Sequence, residues 1–441
     1  MTHRTVLTFL LLFIAVTTFA VDSPQFRGAN RTGIFEEEGL LKSWPESGPP
    51  KLWVADGFGV GYSSALIHQG RIYVTGTLAD QESFIFVLDM DGKLLERIPY
   101  GKETKASAAP GARCTPTIQG DRMFLLSGLG VISCIDLPTR KIVWQVNILE
   151  RFKGENNEWH LAEALLVDGD RVICTPGGPE AVMAALDSKT GDTVWVTGGM
   201  NDIAAYVAPI CVKHLDRQIL LTETSKFLIC VDADDGTLLW KHPHETKYDI
   251  HAVTPVYHDG CVYYVGGYKS GGGLLELSED GSSYTVRWLD TDLDCQHHGV
   301  VLLDGYLFGT THHNAGGQMV CLDWATGKVM WASKEITQAV VIAADGMLYT
   351  YEGPRKGIVS LVKPSPLGLE CTGSFTVSEG TREHWAHPTI AGGRLYIRHG
   401  DSLICYDVRG ELSVNPIQRH TVVEGGSRDV VLSLSSVGAL E

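Results

Sequence analysis

The sequence of 441 residues has few charges, few prolines and few long apolar runs, and each shortage excludes a class of protein. Charged residues make up 20% of the chain and hydrophobic residues 44%, which is too apolar for an intrinsically disordered protein. The 18 prolines are too few for a collagen or a proline-rich linker. The formal net charge of −16 does not suit a protein that binds nucleic acid.

The long apolar run that is present lies within residues 1–20, which are typical of a secretory signal peptide. His3 and Arg4 precede an apolar stretch from Leu7 to Phe19, and small residues end it at Ala20. The stretch is too short for a comfortable membrane span, and no cysteine follows Ala20 to carry a bacterial lipid anchor. The sequence therefore predicts a periplasmic or secreted protein with no transmembrane span after signal removal.

What the chain has in excess is glycine, 49 residues, and much of it falls in a repeat. Eight times, a short apolar run is followed by a turn and a second apolar run, as in His68-Gln69-Gly70-Arg71-Ile72-Tyr73-Val74. The other seven turns begin near residues 120, 169, 215, 259, 304, 345 and 392. Two apolar runs around such a turn predict a β-hairpin.

A second element follows each hairpin, and its four clearest copies contain an aspartate, a turn glycine and a tryptophan, whereas the other four copies are degenerate. In four copies the aspartate and the tryptophan are eight residues apart, as in Asp187 to Trp195. The structural motif residues are Asp136, Trp144, Asp187, Gly191, Trp195, Asp232, Gly236, Trp240, Asp323, Gly327 and Trp331. Aspartate can bond the turn backbone, glycine supplies a positive φ, and tryptophan can fill the space between adjacent sheets.

A repeat of about 45 residues with four short strands and no helical periodicity indicates a blade of a β-propeller. The sequence thus predicts an all-β, eight-bladed propeller of four-stranded antiparallel blades over residues 50–408. It follows a signal peptide (1–20) and a leader (21–49), and a tail of undefined role (409–441) comes after it. The last repeat lacks its tryptophan strand, and the segment around Trp53 precedes the first. We therefore expect the Trp53 strand to complete blade eight and close the ring.

On these residues the sequence resembles the pyrroloquinoline-quinone-like (PQQ-like) repeat propellers. The Asp-x-x-Thr-Gly-x-x-x-Trp element is similar to that superfamily's tryptophan-docking motif, and Phe26-Arg27-Gly28-Ala29-Asn30-Arg31-Thr32-Gly33 is similar to the opening of exported bacterial members. The superfamily joins quinone-dependent alcohol dehydrogenases to non-catalytic assembly factors for outer-membrane proteins (BamB-like). The resemblance covers residues 24–408 and implies the fold more strongly than an activity.

The resemblance implies two functional hypotheses. The first is a non-catalytic binding or assembly scaffold of the cell envelope, with a protein or another envelope ligand on its rim. The alternative is a dehydrogenase that uses pyrroloquinoline quinone and calcium. That alternative is not favoured, because the chain has no adjacent cysteine pair, no Cys-x-x-Cys-His and little room for long insertions between blades. The first hypothesis has a departure of its own: the assembly factors are usually lipid-anchored, and this sequence lacks the anchoring cysteine.

The ten cysteines do not form the pattern of a disulfide framework. Cys134, Cys230, Cys321 and Cys405 share one repeat position, two residues before the aspartate, and blade three has Ala185 there. Equivalent positions in different blades lie too far apart for a disulfide. We expect most of the cysteines to be buried free thiols, with a disulfide between neighbouring blades left open.

Histidines and aromatic residues collect where the inner hairpin strands begin and end, which places them at one mouth of the axial channel. Three interpretations remain open: solvated loops, a binding surface for a ligand or partner, and a metal site built from Cys295-Gln296-His297-His298 with His312 and His313. No catalytic or cofactor-binding residue is predicted. The candidate rim surface is His160, Tyr248, Asp249, His251, Gln296, His297, His298, His312, His313, His384, Trp385, His387 and His399.

Overall fold

The repeats fold as eight antiparallel sheets arranged in a ring, so the predicted eight-bladed propeller is confirmed. The computed structural model describes residues 22–105, 109–312, 316–410, 418–423 and 426–431. Helical elements of the described residues are one α-helix, Ile148–Phe152, and two 3-10 turns, Ala79–Gln81 and Lys247–Asp249. No helix in this described part has the length and the hydropathy to cross a bilayer.

The first four blades each take four consecutive strands, in order from the axis outward. Blade one contains Leu66–His68, Arg71–Thr77, Glu82–Asp89 and Leu94–Lys102. Blade two contains Thr117–Gln119, Arg122–Leu126, Val131–Asp136 and Lys141–Asn147. Blade three contains Leu166–Asp168, Arg171–Cys174, Met183–Asp187 and Thr193–Thr197, and blade four contains Ile210–His214, Arg217–Glu223, Phe227–Asp232 and Leu238–Pro243.

The next three blades repeat this order, and the last is composite. Blade five contains Val256–His258, Cys261–Val265, Gly272–Leu277 and Tyr284–Asp290. Blade six contains Val301–Leu303, Tyr306–Thr310, Met319–Asp323 and Val329–Ser333. Blade seven contains Ala339–Ala344, Met347–Glu352, Ile358–Lys363 and Glu370–Thr376, with the short strand Ile34–Phe35 parallel to the first of them. Blade eight begins with Thr389–Ala391, Arg394–His399 and Ser402–Asp407.

Blade eight is completed by the N-terminal strand Lys51–Asp56, as the repeat pattern predicted. This strand pairs antiparallel with Ser402–Asp407, with Trp53 opposite Cys405. The tail adds two strands that the repeat pattern did not predict: Gln418–Val423 pairs parallel with Lys51–Asp56, and Gly426–Val431 pairs with Gln418–Val423 in turn. The closing strand is therefore bonded on both edges.

Each tryptophan of the repeat packs against the turn of the next blade, which explains the aspartate-glycine-tryptophan pattern. The Trp144 indole N–H donates to the carbonyl of Ser188 at 3.1 Å, and Trp53 donates to Met90 across the ring closure at 3.0 Å. A Cβ added at Gly236, where φ is +78°, would lie 2.4 Å from the Trp195 ring. Glycine at this turn lets the indole approach the backbone.

The cysteines are free thiols, and eight of the ten are buried. The four that share a repeat position each lie opposite a closing tryptophan in the neighbouring strand, as Cys230 lies opposite Trp240. All four are fully buried. A small apolar side chain is therefore what this position needs, which explains why alanine replaces cysteine in blade three.

The leader runs across the axis of the ring and is held by two buried arginines. Arg31 donates to the carbonyl oxygens of Ala164 and Pro209, at 2.9 and 3.1 Å, and to that of Leu165. Arg27 donates to the carbonyl of Val300 at 2.8 Å on the opposite side of the ring. The leader thus ties blades three, four and six together from within the channel.

Candidate functional site

A cavity of about 450 Å³ lies on the axis of the ring, and all eight blades contribute to its wall. One wall residue of each blade stands seven positions before the first turn residue of the inner hairpin, as Tyr62 precedes Gln69 and Trp385 precedes Gly392. In blade order these residues are Tyr62, Arg113, Ala162, Ala208, Ala252, His297, Gln338 and Trp385.

The two sides of this axial cavity differ because the shared position varies around the ring. Three adjacent blades, three to five, place alanine there, and the other five place larger aromatic or polar side chains. The alanines leave open space on one side of the axis. At this shared position the wall is small and apolar on one side and aromatic or polar on the other, while Trp159, Tyr206 and Tyr268 line the cavity elsewhere in blades three to five.

The aromatic wall is a packed arc of rings that begins in the leader. The ring centroids of Phe26 and His387 are 4.8 Å apart, and His387 Nε2 lies 2.9 Å from the carbonyl oxygen of His297. His297 meets Trp385 edge to face at 5.7 Å, and Trp385 lies 5.5 Å from Tyr62. These contacts hold the rings in fixed orientations, which favours binding at low entropic cost.

The wall carries one guanidinium, and burial keeps the imidazoles of His297 and His387 neutral. Burial, together with the charge of His312, lowers the pKa of His297 to about 4, and burial lowers the pKa of His387 well below its ordinary value. Arg113 donates to the carbonyl oxygens of His160 at 2.9 Å and of Trp159. Among the described lining residues there is no carboxylate, so the wall is uncharged or positive at neutral pH.

The polar atoms of the wall include four that have no hydrogen-bond partner within the described part of the chain. They are Nε of Arg113, the hydroxyl of Tyr206, Nε2 of His297 and Nε1 of Trp385. His297 Nδ1 faces Gln296 Oε1 at 3.3 Å, which makes Nδ1 the donor and leaves Nε2 as an acceptor. Buried polar atoms normally have partners, so a small shift of these side chains would let the atoms pair with groups that the chain itself does not supply.

Comparison with known proteins shows which family the chain belongs to. The family model for "Outer membrane protein assembly factor BamB" matches residues 81–333, more than half of the chain. The chain belongs to this family. A curated outer membrane protein assembly factor BamB from Yersinia pestis is 25% identical over 127 residues, which are 28% of this chain. The match spans 30% of that relative's length.

Solved structures show the same fold at low identity. BamB from Moraxella catarrhalis is 14% identical, with a TM-score of 0.58, over 81% of this chain and 99% of that one. Quinohemoprotein alcohol dehydrogenase from Comamonas testosteroni is 11% identical, with a TM-score of 0.64, over 89% of this chain and 81% of the enzyme. The predicted PQQ-like repeat family is thereby confirmed, and both branches of it share this ring.

Five of the thirteen rim residues predicted from sequence line the axial cavity of this BamB-family chain: Gln296, His297, His312, Trp385 and His387. His313 lies outside the described residues. The remaining seven are not in its lining: His160, Tyr248, Asp249, His251, His298, His384 and His399.

The residues outside the lining have other contacts. His384 stacks face to face on His399 at 3.6 Å and bonds Tyr351 through Nδ1 at 2.6 Å. His160 Nδ1 lies 2.6 Å from the Thr104 hydroxyl. Tyr248 is half exposed and meets Tyr268 edge to face. These rings support the loops around the cavity and do not form its surface.

Sequence reasoning missed Tyr62, Arg113 and Gln338, although a signal for them existed. They occupy the same position before the hairpin turn as His297 and Trp385, so aligning the repeats on their turns finds them. Phe26 has no such signal, because the leader has no repeat counterpart.

Metal-ligating side chains converge at a place other than the cluster of Cys295, His297, His298, His312 and His313, which was one of the open interpretations of the sequence and includes His313, outside the described residues. In the described part of this BamB-family chain, one group of three His, Cys, Asp or Glu residues brings its ligand atoms within 4.8 Å of one another. It comprises Glu223, His244 and His251. Burial opposes ionisation of Glu223, but the charges of the two histidines hold its pKa at about 2. His251 alone was among the candidate rim residues.

Proposed function

We propose that the protein is a non-catalytic binding scaffold of the cell envelope that holds a segment of a partner protein in its axial cavity. The observation that carries this proposal is the convergence of eight blades on one cavity with unpartnered polar atoms in an aromatic wall. Relatives named as outer membrane protein assembly factors support a protein partner and an envelope location. The predicted signal peptide supports export to that compartment.

The chemistry of the wall suits a polypeptide segment. Arg113 and Trp385 present donors for carbonyl or carboxylate oxygens, and His297 presents an acceptor for an amide N–H. The alanine side leaves room for an apolar or aromatic side chain as an anchor. The volume is within the range of small-ligand pockets, which is enough for a few residues of extended chain.

Photo-crosslinking in cells that make the protein tests this proposal. A benzophenone amino acid replaces Gln338 in the cavity wall, and in a matched variant it replaces Leu367, which is 94% exposed on an outer loop. We expect irradiation to give a discrete protein adduct from position 338 and none of the same mass from position 367. Equal adducts from both positions, or no adduct from position 338, contradict the proposal.

A quinone-dependent dehydrogenase is the second candidate, and flat rings in the cavity favour it. Trp159 and Trp385 both line the wall and would stack on a planar quinone. The donor set fits calcium poorly, because Ca²⁺ takes six to eight oxygen ligands and the described lining supplies no carboxylate. The residues present therefore do not match a quinone–calcium pair, and we derive no reaction step from one.

Titrating the purified chain with pyrroloquinoline quinone and calcium separates the two candidates. The scaffold proposal predicts no saturable change in quinone absorbance and no alcohol-dependent dye reduction. Saturable binding together with alcohol-dependent dye reduction would establish the dehydrogenase and overturn the scaffold.

A further inference from the structure

Behind the wall of the axial cavity, one carboxylate and two imidazoles form a cluster with almost no exposed surface. Glu223 ends the second strand of blade four, and His244 and His251 flank the loop that leads to blade five. The Glu223 and His251 side chains are fully buried, and His244 is 5% exposed. These groups are outside the axial cavity and take no part in the proposed ligand site.

Both imidazoles direct the same nitrogen at the same oxygen. His244 Nδ1 lies 2.6 Å from Glu223 Oε2, and His251 Nδ1 lies 3.0 Å from that atom. The second carboxylate oxygen, Oε1, has no hydrogen-bond partner among the described residues. Three ligand atoms thus lie within 4.8 Å of one another, and the second carboxylate oxygen stands beside them.

The outer nitrogens of the two rings fix which nitrogen is free to bind. His244 Nε2 lies 3.2 Å from the carbonyl oxygen of Gly271, and His251 Nε2 lies 3.2 Å from that of Ser225. A carbonyl oxygen can only accept, so each Nε2 carries a hydrogen. In the metal-free protein each Nδ1 faces a carboxylate oxygen and carries a hydrogen as well. A bound cation would displace the Nδ1 hydrogens and take the Nδ1 lone pairs, while the Nε2 hydrogens keep the rings in place. Metal-ligating histidines commonly donate their other N–H to a backbone carbonyl in this way.

We propose that Glu223, His244 and His251 form a binding site for a divalent transition-metal ion, with zinc as the best match. Two imidazole nitrogens and a carboxylate oxygen are ligands that Zn²⁺ takes in tetrahedral sites. Ligand atoms on one tetrahedral zinc lie roughly 3.3 Å apart, so each imidazole Nδ1 needs to move away from the carboxylate oxygen by less than about 1 Å. One cation would displace the two Nδ1 hydrogens, which leave to solvent, and would take their place between the imidazoles and the carboxylate.

The ion would fix the loop that blade four sends to blade five. Residues Ile250 and Ala252 flank His251 and line the axial cavity. The carbonyl of His251 also accepts from the Tyr206 N–H at 2.9 Å, and Tyr206 lines the cavity as well. The metal would therefore hold part of the cavity wall in place, whatever ligand the cavity binds.

Cobalt titration of the full chain, purified without a histidine tag and treated with chelator, tests the site. We expect one equivalent of Co²⁺ to bind with the strong visible absorption of a four-coordinate ion, and one equivalent of Zn²⁺ to displace it. X-ray absorption of the zinc form should show nitrogen and oxygen neighbours at roughly 2.0–2.1 Å, including two imidazoles. Less than stoichiometric cobalt, or a spectrum of six-coordinate aqueous type, overturns the proposal.

Two variants locate the ion. Glu223→Gln removes the charged ligand with little change of shape, and His258→Ala removes an exposed histidine of the next blade as the matched control. We expect Glu223→Gln to weaken zinc by more than about 100-fold, since even outer-shell changes cost about 10–100-fold, and His258→Ala to leave affinity unchanged. Equal affinity in wild type and Glu223→Gln places any bound metal elsewhere. If Glu223→Gln does not fold, the imidazole count of the wild-type absorption spectrum decides.

Discussion

At the level of single residues, the ring depends on contacts between a tryptophan and a glycine of the next blade. Gly236 has a φ of +78°, and an added Cβ would lie 2.4 Å from Trp195. Gly305 has a similar φ of +81°, but nothing lies within 4 Å of the added Cβ. Substituting alanine would strain the backbone at both positions, but only at Gly236 would the added methyl group also clash with a neighbouring side chain.

We predict that Gly236→Ala destabilises the protein more than Gly305→Ala does. The positive φ costs about 1–2 kcal/mol at either site, and overpacking against the indole adds about 1–3 kcal/mol at Gly236 alone. Thermal unfolding of both variants measures the difference. Equal unfolding midpoints for the two variants would mean that the close packing of Trp195 does not require a glycine at position 236.

The stacked pair of His384 and His399 predicts a pH dependence of stability. Burial, and then the charge of His399, lowers the pKa of His384 to about 4, from an ordinary value of 6.5. Between these values the unfolded chain binds a proton at His384 that the folded chain does not bind. The stability that this group contributes is therefore complete above pH 6.5 and is lost as the pH falls towards 4.

Replacing His384 by glutamine should remove part of this acid sensitivity. We expect the unfolding midpoint of the wild type to fall more between about pH 7 and about pH 4.5 than that of His384→Gln, measured by thermal melts. His258→Gln, at an exposed site, should keep the wild-type slope. A slope in His384→Gln equal to that of the wild type would show that His384 titrates normally.

Residue types and repeat spacing predicted the contacts between blades, but they did not predict well which rim residues line the cavity. The turn aspartates and the tryptophans recur at fixed distances, so their roles follow from spacing. Alternation along a short segment explains part of the difference between rim residues that line the cavity and those that do not, but it does not explain Gln296, which stands eight residues before its turn and still lines the cavity. His251, His298 and His384 stand an even number of residues before their turns, whereas His297, Trp385 and His387 stand an odd number before theirs and line the cavity.

At the level of elements, the strand Lys51–Asp56 closes the ring and is paired on both sides. Val54 lies opposite Ile404 on one neighbour and Arg419 on the other. Its closing role was predictable, because one repeat lacked a tryptophan strand and one such strand stood alone. The added strands Gln418–Val423 and Gly426–Val431 were not predictable, because the tail has no repeat counterpart.

We predict that Val54→Pro destabilises the protein by at least about 3 kcal/mol, because proline removes a ladder hydrogen bond and does not fit between two paired edges. Truncation after Gly410 should cost less, since Lys51–Asp56 keeps its pairing with Ser402–Asp407. Thermal midpoints compare the two. A larger loss on truncation would assign closure to the tail strands instead.

Across the whole molecule, the leader joins blades through buried guanidinium groups that lie in the channel. Arg31 is fully buried, and burial lowers its pKa to about 9. The Arg31 guanidinium donates to the carbonyl oxygens of Ala164 in blade three and Pro209 in blade four. Among the described strands no pairing joins these two blades, so the arginine links them. This role was not predictable from the sequence, because two arginines in a leader carry no periodic pattern.

We predict that Arg31→Met lowers stability by roughly 2–4 kcal/mol, because several buried carbonyls lose their donor. Arg287→Met, which removes an exposed ion pair with Glu276, should cost less than about 1 kcal/mol. Thermal unfolding and limited proteolysis of the leader check both variants. Equal losses in the two variants would contradict a linking role for Arg31.

The axial cavity is the proposed binding site of a ring built from eight blades, and filling the cavity tests that role. Ala208→Trp places an indole in the open side, and Val196→Trp places one on an exposed outer strand. The measurement is the yield of the adduct from the crosslinker at position 338, with folding checked by thermal unfolding. We predict that Ala208→Trp reduces the yield at least about tenfold while Val196→Trp leaves it unchanged. An undiminished adduct in folded Ala208→Trp would contradict the cavity's role as the binding site.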